Sequence, residues 1–162
     1  MEIYLMQHGP NFGKEEDPEE GLTPEGGEVV RAAARVMKKL GIYVDTVVAS
    51  PKTRSGQTAA IAARTLGFSE AGIVRTEAVK AMTPPAETVT YLAGLPDVER
   101  ILVAGHLPNL AGVAGLLLAG TERPFVAFER GGVCRIEAEE LPTEKGRLIW
   151  YLPPTVTALL DS

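Results

Sequence analysis

The chain is poor in several things, and each shortage closes off a class of function. It has one cysteine, Cys134, which excludes an intramolecular disulfide and a cysteine-based zinc site. Cys134 lies in the apolar run Gly132-Val133-Cys134-Arg135-Ile136, where a buried strand thiol is expected. There are two histidines, His8 and His106, and no His-x-His or His-Glu-x-x-His spacing, so the familiar metallohydrolase patterns are missing. Gly-x-Gly-x-x-Gly does not follow the first apolar run, and Gly-x-x-x-x-Gly-Lys-[Ser/Thr] occurs nowhere, which argues against a nucleotide-binding domain. No basic stripe is present: 16 Lys and Arg face 21 Asp and Glu, for a net charge of −5. Nucleic acid is therefore not an expected partner. The longest apolar stretch, Leu110 to Gly120, is about half the roughly 20 residues a membrane span needs, so it reads as a buried helix and no membrane partner is expected. Met1 to Met6 shows no basic segment followed by a long apolar one, so no signal peptide is expected. Together with the lone cysteine this suits the cytoplasm.

What is present is an ordinary globular balance, 45% hydrophobic and 23% charged over 162 residues. That is enough for one domain, 1–162, with a sizeable core. No repeat or linker interrupts it. Short, nearly all-apolar runs alternate with helical periods. Ile3–Met6, Thr46–Ala49, Ile73–Thr76 and Ile101–Ala104 read as strands covered on both faces. A helix is expected from the Thr23 cap and Pro24 to Gly41, with Val29, Val30, Ala33, Val36, Met37 and Leu40 on one face. A second runs from Ser50-Pro51 to Gly67, a third over roughly Ala86 to Gly94, and a fourth from Pro108 to near Gly120. Phe125–Phe128, Val133–Ala138 and Leu148–Leu152 then read as strands without helices between them, with Arg130-Gly131-Gly132 as a turn. The expected fold class is α/β: a three-layer sandwich around a largely parallel central sheet, with antiparallel strands near the C-terminus. Lys14 to Glu20 reads as an acidic, solvated loop. Trp150 and Tyr151 read as core or edge packing; Asn109 fits either a helix cap or the site.

Both histidines directly follow expected strands, in Met6-Gln7-His8-Gly9 and Gly105-His106-Leu107-Pro108. In open α/β sheets the ligand face lies at the carboxyl ends of the strands, so the two imidazoles are expected to converge. A third strand end points the same way. In Ser50-Pro51-Lys52-Thr53-Arg54, Arg54 falls near the first helical turn, where a cation opposes the helix dipole. A bound anion would resolve that conflict, because free N–H groups and a guanidinium both favour phosphate.

These motifs occur in a characteristic order. His8-Gly9 follows the first strand and Leu22-Thr23-Pro24-Glu25-Gly26 opens the first helix. Ser50-Pro51 comes with Arg54 and Gln57-Thr58, and Gly105-His106-Leu107-Pro108 follows a later strand. The set resembles the histidine phosphatase (phosphoglycerate mutase-like) superfamily, and the short length is similar to its SixA-type phosphohistidine phosphatase branch. The resemblance covers nearly the whole chain. It implies that His8 takes up the phosphoryl group, that Gln7, Arg54 and His106 join His8 in holding it, and that neither metal nor cofactor is required. The implied substrate is phosphohistidine on a protein partner, or a small phosphorylated molecule. Two positions depart from the pattern. The family motif is Arg-His-Gly, whereas Gln7 precedes His8 here and carries no charge. That loss is worth roughly tenfold or more in rate unless another cation, such as Lys52, replaces it. The family's acidic residue after the third strand aligns with Ala81; Glu77 lies four residues earlier. A missing acid favours a phosphoramidate, whose leaving group needs less help than an alkoxide. The alternative is a degenerate phosphatase that binds phosphate or a phosphoprotein without turning it over.

Overall fold

A computed structural model describes all residues, Met1–Ser162. Six strands form one sheet: β1 (Glu2–Gln7), β2 (Thr46–Ala49), β3 (Val74–Arg75), β4 (Arg100–Gly105), β5 (Val133–Glu137) and β6 (Arg147–Leu152). Their spatial order is β3-β2-β4-β1-β5-β6. The first four are mutually parallel, and β5 and β6 extend the sheet in antiparallel fashion beyond β1. Five helices cover it: α1 (Pro24–Lys39), α2 (Thr53–Leu66), α3 (Pro85–Ala93), α4 (Asn109–Ala119) and α5 (Pro154–Leu160). This is the expected α/β three-layer sandwich with a largely parallel centre.

Strand alternation explains the two cores. Ile3, Leu5, Ile101, Val103 and Ile136 point to one face and pack with Val89 and Leu92 of α3 and Leu110, Val113 and Leu117 of α4. Tyr4, Met6, Leu102 and Ala104 point to the other and pack with Val30, Ala33 and Met37 of α1 and Ala59, Ala62 and Ala63 of α2. A fully buried Ile or Leu contributes roughly 1.5–3 kcal/mol of transfer energy, so β1 and β4, buried almost throughout, are firmly placed. The small residues on α2 let it lie close to the sheet.

Four expectations require correction. Phe125–Phe128 is not a strand. Its alternation is real, with Val126 and Phe128 buried and Phe125 about half exposed, but its backbone closes on itself. Phe125 N–H donates to the Arg123 carbonyl and Phe128 N–H to the Val126 carbonyl, while both edges of β5 are already taken by β1 and β6. Helix α2 starts at Thr53, three residues later than Ser50: the Ser50 hydroxyl bonds His106 Nε2 at 2.6 Å and accepts only from Lys52 N–H at 3.2 Å, and Lys52 caps the helix without a side-chain bond. Strand β3 shrinks to Val74–Arg75 at the exposed sheet edge. Helix α5 lay outside the expected elements. It starts at a proline, is seven residues long, and is tied to α1 by a forked Arg35–Asp161 pair at 2.8 and 2.7 Å.

The exit from β1 is pressed against the start of α1. Thr23 caps that helix, accepting from Gly26 N–H at 2.9 Å. A Cβ on Gly26 would lie 1.9 Å from the Pro10 carbonyl oxygen, so only glycine lets the His8-Gly9-Pro10 segment pass there.

Candidate active site

Strands β1 and β4 are adjacent and parallel, with Gln7 level with Gly105. The next residue on each is therefore a histidine at the same height. The His8 and His106 rings lie 5.0 Å apart between centroids, tilted by 55°, and are 6% and 3% exposed. Strand β2, on the far side of β4, ends one residue earlier, with Ala49 level with Ala104, and delivers Ser50. Convergence thus follows from parallel register: three neighbouring strands place their carboxyl ends on one face.

Hydrogen bonds orient both rings. His8 N–H donates to the Gly105 carbonyl at 2.9 Å, and His8 Nδ1 lies 2.8 Å from the Gly9 carbonyl oxygen. A carbonyl only accepts, so Nδ1 carries the proton and Nε2 keeps a free lone pair. Gly9 is held in turn by its N–H donating to Thr58 Oγ1 at 3.1 Å. His106 Nε2 is bonded to Ser50 Oγ at 2.6 Å. Ser50 is fixed by its N–H donating to Ser55 Oγ at 2.9 Å, and Ser55 Oγ donates to the Ala104 carbonyl at 2.7 Å. Burial pushes His8 down to about 4, with the charges of Arg54 and Arg130 adding to the effect against the Gly9 bond. Burial also pushes His106 down to about 3, followed by the effects of His8, Arg54 and Lys52. Both imidazoles are neutral at pH 7.

The surroundings are cationic although the chain is acidic. A pocket of about 420 Å³ beside His106 is lined by Lys52, Arg54, Glu77, Lys80 and Ala81, among others. Arg54 is the second residue of α2, whose first turn has no side-chain cap, so N–H groups and a guanidinium face the same space. Glu20 approaches Arg54 at 3.7 Å. A larger cavity of about 680 Å³ lies at the opposite end of the sheet, where Glu2, Glu137, Glu139 and Glu140 outnumber Lys145 and Arg147; its wall is net acidic. No group of three or more His, Cys, Asp or Glu side chains is arranged to hold a metal ion.

The four residues singled out from the sequence fall at this end of the sheet. His8, Arg54 and His106 come together. Gln7 ends β1, is buried, and has its Oε1 without a partner. Lys52 lines the pocket with His106. Ala81 also lines it and offers no proton; Glu77 is the carboxylate on that wall, paired with Lys80 at 3.2 Å. Asn109 is a clamp: its Nδ2 donates to the Thr83 carbonyl at 2.9 Å and to Thr88 Oγ1 at 2.8 Å, tying the pocket wall to α4. Three residues around the site escape the sequence motifs. Ser50 was assigned to a helix start, although its place after β2 matches those of His8 and His106. Glu20 belongs to a loop read as solvated, yet Glu20 turns back to Arg54, and Glu19 accepts from Thr53 Oγ1 at 3.0 Å. Arg130 was read as part of a turn, and no linear pattern brings it to His8.

The same fold is found in solved structures. The protein histidine phosphatase SixA complexed with tungstate matches with a TM-score of 0.81 and 22% identity over 96% of this chain and 98% of that one. A SixA protein from Agrobacterium tumefaciens matches at 0.78 and 19% over 94% and 97%. A phosphoserine phosphatase from Entamoeba histolytica, in complex with 3-phosphoglyceric acid, matches at 0.67 and 14% over 93% and 95%. No protein-family model and no curated protein matches the chain.

Proposed function

We propose that the protein is a phosphatase of the histidine phosphatase superfamily, SixA-type, that hydrolyses phosphohistidine on a protein partner through a covalent phosphohistidine at His8. The observation that carries this reading is the His8 ring: neutral, with its proton held on Nδ1 by the Gly9 carbonyl and Nε2 bare beside His106. A shared fold with a SixA structure that holds tungstate, an oxyanion of phosphate's shape, supports it.

The chemistry needs alignment and positive charge more than elaborate acid–base machinery. His8 Nε2 attacks phosphorus in line, the bond from phosphorus to the substrate imidazole, protonated on its other ring nitrogen, breaks, and the electron pair departs with a neutral imidazole. Arg54 and the first turn of α2 hold non-bridging oxygens. Water then attacks the phosphoryl group, the Nε2–phosphorus bond breaks, and phosphate leaves with His8 restored. Splitting the reaction in this way is ordinary covalent catalysis. Glu77, on the pocket wall, and Glu20, beside Arg54, are the carboxylates at hand for proton traffic. An imidazole leaving group asks little of them, which favours phosphohistidine over a sugar phosphate. The shared SixA fold spans 96% of this chain, so little of the chain lies outside it, and a side chain presented by a protein is the substrate form we infer.

The test is phosphate release from phosphoramidate by the wild type beside His8→Ala, with a search for an acid-labile phosphoenzyme. Release and label that vanish in the variant support the reading. Binding of phosphate without release from either protein would favour the alternative, a degenerate phosphatase serving as a phosphate or phosphoprotein-binding module. Neither release nor binding would sink the site.

A further inference from the structure

We propose that Arg130 is the second guanidinium of the phosphoryl site, closing on the His8 side the space that Arg54 closes on the other. The proposal rests on the phosphatase reading above and adds a residue to it.

It begins with a charge balance. A transferred phosphoryl group carries about two negative charges, and its transition state spreads them over three equatorial oxygens. The two imidazoles supply no charge at pH 7 in the free protein. Gln7 supplies none. Arg54 supplies one, and Glu20 at 3.7 Å offsets part of it. Lys52 acts from the His106 side. Something must balance the remaining charge near the nucleophile.

Arg130 is held where that cation is needed. Its neighbour Gly131 donates its N–H to both the Gln7 and the His8 carbonyl, each at 3.1 Å, and Gln7 N–H donates to the Gly132 carbonyl at 3.1 Å. The turn is further closed by Gly132 N–H on the Glu129 carbonyl at 2.8 Å. Tyr151 Oη accepts from Glu129 N–H at 2.8 Å. Gly131 sits at φ +85, and a Cβ there would meet Val29 Cγ1 at 2.5 Å, so the turn has one shape. The backbone of Arg130 is thus locked to the backbone of the nucleophile, and its charge reaches the His8 ring.

Its side chain is also uncommitted. Arg31, Arg35, Arg64, Arg100, Arg135 and Arg147 all sit in ion pairs. Arg130 has neither a carboxylate partner nor a hydrogen bond nor an aromatic ring beneath it. An unpaired guanidinium on a rigid turn is free to take an anion that arrives from outside, and a charge-assisted, forked contact to phosphate is what the group does best.

The experiment compares wild type, Arg130→Ala, Arg130→Lys, Gln7→Arg/Arg130→Ala and His8→Ala in phosphoramidate turnover and in binding of inorganic phosphate by calorimetry. Arg130→Ala is expected to lower kcat/KM and to weaken phosphate binding by about tenfold or more each. Its thermal midpoint in phosphate-free buffer stays that of the wild type, because the side chain is exposed and unpaired. Arg130→Lys recovers part of both losses, and a new arginine at position 7 recovers turnover in the double variant. Arg130→Ala within twofold of wild type in both measurements, while His8→Ala is dead, overturns the assignment of Arg130 and leaves the phosphatase reading standing. If wild type binds phosphate without turnover, the phosphate affinity of Arg130→Ala alone decides. If it does neither, the phosphatase reading fails and Arg130 falls with it.

Discussion

Lowering the pH from 7 to 5 tests the desolvated histidine pair directly. Both rings are pushed down in the folded chain, to about 4 for His8 and about 3 for His106, from an ordinary 6.5. A folded value below the unfolded one means the unfolded chain binds protons that the folded chain refuses. The stability held by the neutral pair is therefore complete above about pH 6.5 and is lost as the pH falls towards 4. At pH 5 each histidine is 1.5 pH units below its unfolded value, worth about 2 kcal/mol. This figure holds for any folded value well under 5. Relaxation of the surroundings and water penetration around a charged ring offset part of it, so the pair costs about 3 kcal/mol between pH 7 and 5. That is a large share of the roughly 5–15 kcal/mol available to such a domain. The assay is urea unfolding at pH 7, 6 and 5 for wild type and for the double variant His8→Gln/His106→Gln, which removes both titrating rings. Wild type should lose about 3 kcal/mol more than the variant over this range. Saturating phosphate should narrow the gap, because an anion held against the rings favours their protonated forms. Parallel losses in the two proteins would refute the reasoning, since carboxylates would then account for the whole acid response.

Two substitutions probe how the site is held. Ser50→Ala removes the 2.6 Å partner of His106 Nε2 in a buried setting, so it should cost about 1–2 kcal/mol in urea unfolding; an unchanged midpoint would show that water replaces the hydroxyl. Gly26→Ala drives a methyl group to within 1.9 Å of the Pro10 carbonyl oxygen. It should destabilise by about 3 kcal/mol and weaken phosphate binding by shifting the His8-Gly9-Pro10 segment. Normal stability and affinity would mean that β1's exit does not depend on that contact.

Much of the fold was readable because short-range chemistry announces it. The runs Ile3–Met6 and Ile101–Ala104 are apolar on both faces, and only a covered strand of a parallel sheet wants that. Thr23-Pro24 marked a helix start because the cap and the proline both suit free N–H groups, and the structure shows the Thr23 cap made. Errors arose where tertiary partners decide. Phe125–Phe128 alternates like a strand, but its backbone bonds to itself and not to a strand, while its buried residues join the core, Phe128 edge-on to Tyr151. Ser50-Pro51 looks like a helix start, yet the serine hydroxyl is claimed by His106, 56 residues away.

By itself the sequence determined the α/β class, the strand ends at which His8 and His106 sit, and the presence of Arg54 in the first turn of a helix. These depend on local propensity, apolar periodicity and the rule that parallel strands present their carboxyl ends together. Only the tertiary structure decided which imidazole nitrogen is free, how far burial holds both rings neutral, and that the turn carrying Arg130 is bonded to the backbone of His8. A proton's place on a ring is set by a carbonyl fixed in space, and a pKa by how much water the fold removes. The approach of residue 130 to residue 8 depends on β5 pairing with β1, a long-range ladder that no local pattern encodes.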